Sequence, residues 1–423
     1  MKIAIIGAGF TGLSAGYYLS QKGHSVTIFE KESRPGGLAI GYKKKKWAWA
    51  LEKHYHHLFT SDRHILNLAR EVDHKVAFTR PETNMLVGGG VSKIDSPIDL
   101  LKFSHLSPVD RIRTGVIIAF LKINPFWKVL EGITAKEFLV KTTGKKSWNI
   151  LWQPLFVGKF GDKHSQIPAS WFWSRIKKRS TKLGYPDQGF EELAVSIAKR
   201  IKSLGGQIMY TSVVAKVSYY KKFKLEIEKN KKRLVKDYDI VINTLPFPLF
   251  TKIMDTSLKD ITGLKTHESI GAINLVLRLK KPFLKDTYWL NINEKNFPFM
   301  VVVEHTNFAN KKNYKEEHLV YVGKYLPNNH KYFSLTAKQL LKIYSPYLQK
   351  INKHFEKDLI GIDIFKAPFS QPIVPLNYSK KIPQLQTSIP GLFIATIQQV
   401  YPWDRGTNYA VEMGRRVADI VDR

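Results

Sequence analysis

The stretch that decides the fold is IAIIGAGFTG at residues 3–12, together with SVTIFE at residues 25–30. The run IAII is apolar and rich in β-branched residues, which is typical of a short buried strand. It leads into the glycine-rich turn GAGFTG, and a segment with helical character, LSAGYYLSQKG, follows. SVTIF predicts a second strand, which ends at Glu30. This order of strand, glycine turn, helix, strand and acid predicts a βαβ unit that binds a dinucleotide.

Each part of this unit has a predicted role in holding the ligand. Gly7 permits the tight turn, Gly9 lets the backbone approach a pyrophosphate, and Gly12 lets helix and strand pack closely. The first helix points its N-terminal amides and its positive dipole end at the phosphates. Glu30 lies 18 residues after Gly12 and is placed to accept hydrogen bonds from a ribose diol. The expected ligand contacts in this unit are Gly7, Ala8, Gly9, Phe10, Thr11, Gly12, Glu30 and Lys31.

Composition limits the class of protein. With 423 residues, of which 43% are hydrophobic, the chain can form two or three domain-sized units with a large core. It contains no cysteine, so disulfides, thiolate nucleophiles and cysteine metal sites are excluded. IAII is too short for a secretory signal, and no uninterrupted apolar run is long enough to span a bilayer. We therefore expect a cytoplasmic protein.

The charge of the chain is strongly basic. It has 67 lysines and arginines against 35 acidic residues, which gives a net charge of +32. Such a field attracts nucleic acid, anionic membranes or anionic substrates. No helix-turn-helix, basic arm or aromatic RNA-binding signature accompanies the charge, so nucleic-acid binding is not expected. A lysine-rich composition without a specific role and a peripheral contact with the inner face of a membrane both remain open.

The segment after Glu30 allows a family resemblance to be stated. Residues 7–37, GAGFTGLSAGYYLSQKGHSVTIFEKESRPGG, resemble the opening of the flavin-containing amine oxidoreductase superfamily. That superfamily includes amine oxidases, protoporphyrinogen oxidase, phytoene and squalene-type desaturases and, more distantly, UDP-galactopyranose mutase. The resemblance implies that the cofactor is FAD, with further contacts from Arg34, Gly36, Gly37 and Leu38.

A histidine-rich segment, HYHHLFTSD at residues 54–62, carries the catalytic hypothesis. His54 and His56 share a face if the segment is extended, because side chains alternate in a strand. No companion ligand pattern is nearby, so no metal site is predicted. The segment resembles the histidine-containing segment beside the flavin ring in UDP-galactopyranose mutases. This implies cofactor contacts from His54 and Tyr55 and a catalytic role for His56; a structural histidine is the alternative.

The resemblance continues over residues 184–246, where the chain returns to the cofactor. It implies a backbone contact to the adenine at Val213 or Val214. The strand-like run DYDIVINTLP then ends beside the cofactor at Thr244.

The resemblance also covers residues 390–423. A helix that begins near Gly406, Thr407 and Asn408 would direct its N-terminal amides at the flavin. Many relatives have Gly–Asp after the preceding strand, where this chain has Thr396 and Ile397. Asp404 either replaces that missing acid or only pairs with Arg405.

Three patterns in the middle of the chain allow more than one interpretation. RIRTGVIIAFLKI at residues 111–123 fits a buried helix better than a helix lying on a membrane surface. A set of aromatic residues fits a helical core better than a cavity wall: Trp148, Trp152, Phe156, Trp171, Phe172 and Trp173. A basic set could hold an anionic headgroup, but a solvated helix face is the favoured interpretation: Arg175, Lys177, Lys178 and Arg179.

Together these patterns predict an α/β protein with a Rossmann-type FAD-binding domain and an inserted α+β substrate domain. The FAD-binding domain would comprise residues 1–90, 184–262 and 366–423, and the substrate domain residues 91–183 and 263–365. The expected function is an FAD-dependent oxidoreductase that passes hydride from a C–H of an anionic or lipid-like small molecule to flavin N5. The alternatives are a mutase-like flavoenzyme acting on a sugar nucleotide and a binding protein that has lost its chemistry; the oligomeric state stays open.

Overall fold

The structure is a computed structural model that describes residues 1–256, 258 and 268–423. Within these residues the strands, in chain order, are β1 (Lys2–Ile6), β2 (Ser25–Phe29), β3 (Gly41–Tyr42), β4 (Leu51–Glu52), β5 (Leu58–Phe59), β6 (Val76–Thr79), β7 (Glu82–Val87), β8 (Gly90–Lys93), β9 (Leu183–Pro186), β10 (Gln207–Met209), β11 (Ser212–Tyr220), β12 (Lys222–Lys229), β13 (Lys232–Tyr238), β14 (Ile240–Asn243), β15 (Ser269–Leu279), β16 (Thr287–Ile292), β17 (Val301–Glu304), β18 (His318–Pro327), β19 (Leu359–Pro372) and β20 (Leu392–Ile394). The helices are α1 (Phe10–Gln21), α2 (Arg63–Glu71), α3 (Pro97–Lys102), α4 (Pro108–Ile123), α5 (Ala135–Thr143), α6 (Lys145–Ser147), α7 (Gln153–Phe160), α8 (Ala169–Lys178), α9 (Phe190–Ser203), α10 (Phe247–Ile253), α11 (Ala337–Ile351) and α12 (Thr407–Val421).

The predicted βαβ unit forms the centre of a five-stranded sheet in the order β10-β2-β1-β14-β20. All of its neighbouring strands are parallel. Parallel strands end at the same edge of a sheet, and ligands of such sheets bind outside that edge. The glycine turn after β1, Glu30 after β2 and Thr244 after β14 therefore lie on one edge, although they are far apart in sequence. This arrangement confirms the prediction of a Rossmann-type α/β sheet.

The glycine turn lets β1 and α1 approach more closely than they could if a side chain stood between them. A Cβ added to Gly12 would lie 2.0 Å from the carbonyl oxygen of Gly7, and Gly7 itself has a φ of +102°. A second close approach joins α1 to α12, where a Cβ on Gly414 would lie 2.3 Å from the carbonyl oxygen of Thr11. The two ends of the chain are thus packed backbone against backbone.

The second sheet has seven strands in the order β19-β15-β18-β17-β16-β7-β8. Its neighbouring strands are antiparallel except β16 and β7, which are parallel. Helix α11 packs on it through Leu340, Tyr344 and Leu348. Helices α3–α8 form a layer whose aromatic core includes Trp148, Phe156, Trp171, Phe172 and Trp173, with Trp152 packed against it. The prediction that these aromatic residues form a core is confirmed, and so is an α+β part inserted beside the parallel sheet.

The limits of the two predicted domains stay a prediction. The junction between the predicted segments 184–262 and 263–365 lies outside the described residues. β7 lies inside the predicted segment 1–90, yet it pairs with β16 in the seven-stranded sheet.

The prediction of a buried helix at residues 111–123 is wrong. These residues lie in α4, of which only Thr114 and Leu121 are buried. Their apolar neighbours Val109, Ile112, Val116, Phe120 and Ile123 are exposed, because α4 packs on the protein through one narrow side. Within the described residues no helix is both long enough and apolar enough to cross a bilayer.

We expect Gly12→Ala to lower the free energy of unfolding by about 2 kcal/mol or more, because its methyl group would collide with backbone. The matched control is Gly90→Ala, since a Cβ on Gly90 meets nothing within 4 Å. Urea unfolding of the two variants and the parent measures the difference. Equal stability of both variants would contradict the close contact between β1 and α1.

Candidate functional site

Two glycine turns form a backbone cradle at the edge of the parallel sheet. The Gly36 amide donates a hydrogen bond to the Ala8 carbonyl at 2.9 Å. A Cβ added to Gly37 would lie 2.9 Å from the Cα of Gly9. With no side chain between the turns, a phosphate group can approach the backbone amides and the N-terminus of α1. The residues present therefore fit the predicted dinucleotide.

Glu30 is held in place beside this cradle. Its carboxylate accepts hydrogen bonds from the Ala8 amide at 2.7 Å and from the Glu32 amide at 2.9 Å. Lys31, by contrast, directs its side chain to solvent and pairs with Glu32. The structure thus places the acid in the cradle and turns its predicted neighbour away.

Three further predicted residues surround the same edge. The Thr244 hydroxyl donates to the Ile6 carbonyl at 2.7 Å, directly behind the glycine turn. β11 begins beside β2, since the Ser212 amide donates to the Glu30 carbonyl at 2.8 Å. Val213 and Val214 follow in that strand, with the Val213 side chain exposed and Val214 buried. The structure gathers these residues around Glu30 as the resemblance implied; their contacts with a cofactor stay a prediction.

Arg34 has a partner that the sequence did not suggest. Its guanidinium forms an ion pair with Glu191, at the start of α9, and donates to the Gly41 carbonyl. Glu191 also accepts a hydrogen bond from the Gly41 amide at 2.7 Å. Arg34 therefore ties the loop after the glycine pair to α9, and its predicted contact with phosphate would be made beside that ion pair.

A cavity of about 220 Å³ lies beyond the cradle, between the histidine segment, α8, the seven-stranded sheet and the start of α12. Of the residues predicted from sequence, those in its lining are Leu38, His54, Tyr55, His56, Asp404, Gly406, Thr407 and Asn408. The cradle residues Gly7, Gly9, Gly12, Gly37 and Glu30 are not in that lining. The predicted residues thus form two groups, one at the sheet edge and one around the cavity.

The start of α12 borders the cavity with its free amides. A helix leaves its first amides without partners inside the helix, and its dipole is positive at that end. The Asn408 side chain is already engaged, because its amide oxygen accepts from the His64 and Ile65 amides at 2.9 and 3.3 Å. The side-chain oxygen of Asn408 therefore caps the start of α2.

The histidine segment lines one wall of the cavity with neutral rings. Burial lowers the pKa of His54 and His57 to about 3 and that of His56 to about 4. The Nδ1 atom of His56 lies 2.6 Å from the His54 carbonyl oxygen. A carbonyl only accepts, so Nδ1 carries the proton and Nε2 is left as a hydrogen-bond acceptor.

The cavity lining also carries a charge cluster around Asp404, which sequence reasoning missed in part. Asp404 pairs with Lys159 at 3.0 Å and with Arg175, and it accepts from the Trp171 ring nitrogen at 3.1 Å. Burial opposes its ionisation, but the charges of Lys159, Arg175 and Arg405 hold the pKa of Asp404 below its ordinary value. Burial lowers the pKa of Lys159. Of the two alternatives for Asp404, a pairing with Arg405 alone is wrong, and a contact with the cofactor stays a prediction.

Arg405 takes a separate position in the same lining. Its guanidinium donates to the Tyr325 hydroxyl and to the Gln371 side-chain oxygen, the latter at 3.0 Å. It also lies over the Tyr325 ring, 5.4 Å from the centroid. The aromatic ring and the two acceptors hold the guanidinium without neutralising it.

The basic set on α8 and just after it is divided between the cavity and the surface. Arg175, Lys178 and Arg179 line the cavity. Arg175 and Arg179 are also exposed, so the favoured prediction of a solvated helix face is not contradicted, and binding of an anionic headgroup stays a prediction. Lys177 points away and donates to the Ile123 carbonyl at 2.9 Å. Consecutive residues of a helix cannot share a face, and only the packing of α8 showed which of them face inward.

The cavity lining is therefore strongly positive. It contains six cationic side chains: Lys159, Arg175, Lys178, Arg179, Lys324 and Arg405. Against them stand Asp404 and Asp62, and burial raises the pKa of Asp62 to about 6. The sequence context could have indicated that Lys159 and Lys324 are functional. Each lies in a run of apolar and aromatic residues, where a buried charge needs a partner.

We expect Asp404→Asn to destabilise the protein by about 3–5 kcal/mol, because it leaves the buried Lys159 without its counter-charge. The control is Glu82→Gln, which breaks the exposed pair with Lys93. That pair should be worth about 1 kcal/mol or less. Chemical unfolding of both variants checks the contrast, and an Asp404 variant as stable as the control would refute the buried pair.

Buried neutral histidines predict that the protein is labile in acid. His54, His56, His57 and the buried His305 have folded pKa values of about 3 to 4 against 6.5 in the unfolded chain. Between these values the unfolded chain binds more protons, so stability falls as pH falls through the window. Each histidine contributes about 1.4 kcal/mol per pH unit where only the unfolded state is protonated.

Glu52 acts in the opposite sense, because burial raises its pKa to about 7 from 4.5. Its folded form binds more protons over that range, so this group alone gains stability as pH falls. Asp62, whose pKa burial raises to about 6 from 3.8, acts in the same sense as Glu52. Four histidines outweigh these two carboxyls, and urea unfolding from pH 6.5 to pH 4 should show a net loss. His305→Gln should make the slope shallower by about one proton. A flat or rising profile would contradict neutral burial of these rings.

The curated relatives match the chain over a short stretch. An L-amino-acid oxidase from Crotalus adamanteus is 48% identical over 46 residues, which is 11% of this chain and 9% of the relative. The chain thus matches about a tenth of that relative's length.

Solved structures are similar over nearly the whole chain. A putative protoporphyrinogen oxidase from Exiguobacterium has a TM-score of 0.76 at 15% identity, covering 100% of this chain and 98% of that one. A reduced UDP-galactopyranose mutase has a TM-score of 0.75 at 16% identity, covering 99% and 95%. At these identities the likeness shows the fold.

Residues 10–422 match the family described as flavin containing amine oxidoreductase. This range includes the last three residues of the glycine turn, the histidine segment and the start of α12, so the match covers the cavity residues and part of the cradle. The chain belongs to the flavin-containing amine oxidoreductase family, a family of FAD-dependent oxidoreductases.

Proposed function

We propose that this protein oxidises a small organic molecule that carries an anionic group, with FAD as its cofactor. The observation that carries the proposal is one cavity that joins the neutral histidine wall, the start of α12 and six cationic side chains. FAD, when bound, supplies a hydride acceptor at flavin N5 for a C–H bond of the substrate. The side chains of this protein would bind the substrate and orient it for that transfer.

The cofactor would be held at both groups of site residues. The cradle formed by Gly9 and Gly37 and the N-terminus of α1 suit its diphosphate, and Glu30 suits its ribose hydroxyls. The start of α12 brings a second positive helix end to the cavity, where it favours negative charge. Leu38 directly follows the cradle residue Gly37 and lines the cavity together with Thr407, so the cradle and the cavity adjoin at Leu38.

The histidine wall would orient the substrate rather than carry charge. His56 is neutral and offers Nε2 as an acceptor, so it suits a substrate N–H or O–H group near the bond that breaks. His54 is fixed by the Asn274 side chain, 2.7 Å from its Nδ1 atom.

The cations are available to an anion other than the cofactor diphosphate. The glycine cradle that suits the diphosphate is not part of the cavity lining. Asp404 offsets one charge among Lys159, Arg175 and Arg405, while Lys324 forms no ion pair within the described residues. An excess of positive charge in a partly buried cavity favours a carboxylate or phosphate on the substrate.

The mutase alternative is not proposed, because the family match favours an oxidoreductase and the likeness to the mutase structure shows the fold alone. The alternative of a scaffold without chemistry predicts a colourless protein. Flavin absorbance of the purified protein therefore tests the cofactor by itself, before any substrate is added.

The substrate class is tested by anaerobic mixing of the flavin-loaded protein with amines and alcohols, each supplied as the free acid and as its amide. We expect flavin bleaching by an acid and weaker bleaching by the matching amide. Arg179→Gln and Lys324→Gln should raise KM for the acid by about tenfold or more, the value of a lost charge-assisted hydrogen bond. They should leave KM for the amide unchanged.

Lys177→Gln is the matched control, because Lys177 neighbours the cavity residues but points away from them. Its KM should equal that of the parent. Preference for the amides, or equal effects of the Lys177 and Arg179 variants, would overturn the anionic substrate while leaving the cofactor assignment intact.

A further inference from the structure

Helix α4 carries an apolar stripe that faces solvent. Val109, Ile112, Val116, Phe120 and Ile123 recur every three or four residues, which places them on one helix face. Their residues are between 46% and 76% exposed. A stripe of this spacing normally faces the core, so its exposure marks a surface that contacts something else.

The stripe continues at both ends of the helix. Phe126 and Val129 follow α4 and are 71% and 74% exposed. Ile98 and Leu101 on α3, which packs against α4, are 62% and 55% exposed. We call these nine side chains the apolar surface. Isolated exposed apolar residues are common, but a set that recurs along one helix face is not isolated.

The other side of α4 fixes the helix to the protein. Leu121 is buried in the aromatic core formed with α5–α8. The buried Thr114 hydroxyl donates to the Ser147 hydroxyl at 3.1 Å. Arg111 holds the turn between α3 and α4, since it donates to the Leu101 and Leu106 carbonyls. The apolar surface is thus a fixed face of the fold.

Positive charge surrounds this surface. Residues 97–130 contain five basic side chains: Lys102, Arg111, Arg113, Lys122 and Lys128. The two acids of the same segment, Asp99 and Asp110, are hydrogen-bonded to the capping residues Ser96 and Ser107. An apolar helix face with basic flanks is the pattern of helices that lie in the headgroup region of anionic membranes.

We propose that the apolar surface docks on an anionic lipid bilayer, with the stripe of α4 in the interface and the flanking cations at the headgroups. This goes beyond the proposed function, since it concerns where the protein works. A second copy of the chain is a poorer occupant, because two such faces would bring like charges together in a protein of net charge +32. An anionic lipid surface is complementary to both the apolar stripe and the charge.

Docking at this surface would bring the cavity close to the lipid. Lys122 donates to the Ile176 carbonyl at 3.3 Å, and Lys177 donates to the Ile123 carbonyl. These bonds join the C-terminal end of α4 to α8, whose Arg175 and Lys178 line the cavity. Helix α8 thus both contacts α4 and lines the cavity.

The absence of cysteine from the chain allows a direct test by labelling one introduced thiol. Ile123→Cys, labelled with the environment-sensitive dye NBD, should show a blue shift and brighter emission with vesicles of equal parts phosphatidylglycerol and phosphatidylcholine. Vesicles of phosphatidylcholine alone should produce a smaller change. The control is Val235→Cys on β13, where Val235 is 58% exposed and far from α4 in sequence. Its label should not respond, and equal responses from both positions would overturn the proposal.

Vesicle flotation of the flavin-loaded protein tests the same surface without a label. The triple variant Ile112→Ser, Val116→Ser and Ile123→Ser should partition at least about tenfold more weakly, since partitioning follows the buried apolar area. The control triple variant Tyr220→Ser, Val235→Ser and Ile360→Ser also removes exposed apolar side chains and should float like the parent. Flavin absorbance and melting temperature should be those of the parent in both, which excludes unfolding as the cause.

Two results would overturn the proposal. One is unchanged flotation of the α4 variant. The other is a dimer in light scattering that the α4 substitutions dissociate, with no flotation of the parent, which would assign the surface to a second copy of the chain.

Discussion

The contact of backbone with backbone at the glycine turn is the constraint on which the rest of the structure depends. Gly12 brings α1 so close to β1 that a Cβ would lie 2.0 Å from the Gly7 carbonyl oxygen. Gly414 brings α12 close to α1, where a Cβ would lie 2.3 Å from the Thr11 carbonyl oxygen. These contacts hold the two ends of the chain together. The cradle at the start of α1 and the cavity at the start of α12 can serve one extended cofactor only because of that packing.

The second determinant is the balance of charge in the cavity. Asp404 contacts Lys159, Arg175 and the Trp171 ring nitrogen, so one carboxylate pairs with a buried lysine and an exposed arginine. The neutral histidines of the lining add no charge of their own, because burial holds their pKa values low. The cavity lining thus combines uncharged histidine rings with an excess of cationic side chains. Helix α8 links these cations to the apolar surface of α4.

Sequence reasoning succeeded where the signal is local. The order of strand, glycine turn, helix and acid is set by neighbouring residues, so β1, α1, β2 and the start of α12 could be predicted. The aromatic core of α5–α8 followed from the density of large apolar side chains. It failed for α4, because an amphipathic pattern shows that a helix has an apolar face but not what that face contacts.

The sequence by itself determined the cofactor class and the family, since glycine spacing and the acid after β2 are conditions that backbone geometry imposes on a short stretch. Only the tertiary structure decided the character of the cavity. The charge cluster is formed by Lys159, Arg175 and Asp404, which come from three distant segments and meet through packing. No spacing in the sequence could therefore predict their contact. Asn408 was likewise assigned to the cofactor by its position, and the fold uses its side chain to cap α2. Long-range contacts depend on how elements pack, and a local pattern carries no information about its distant partner.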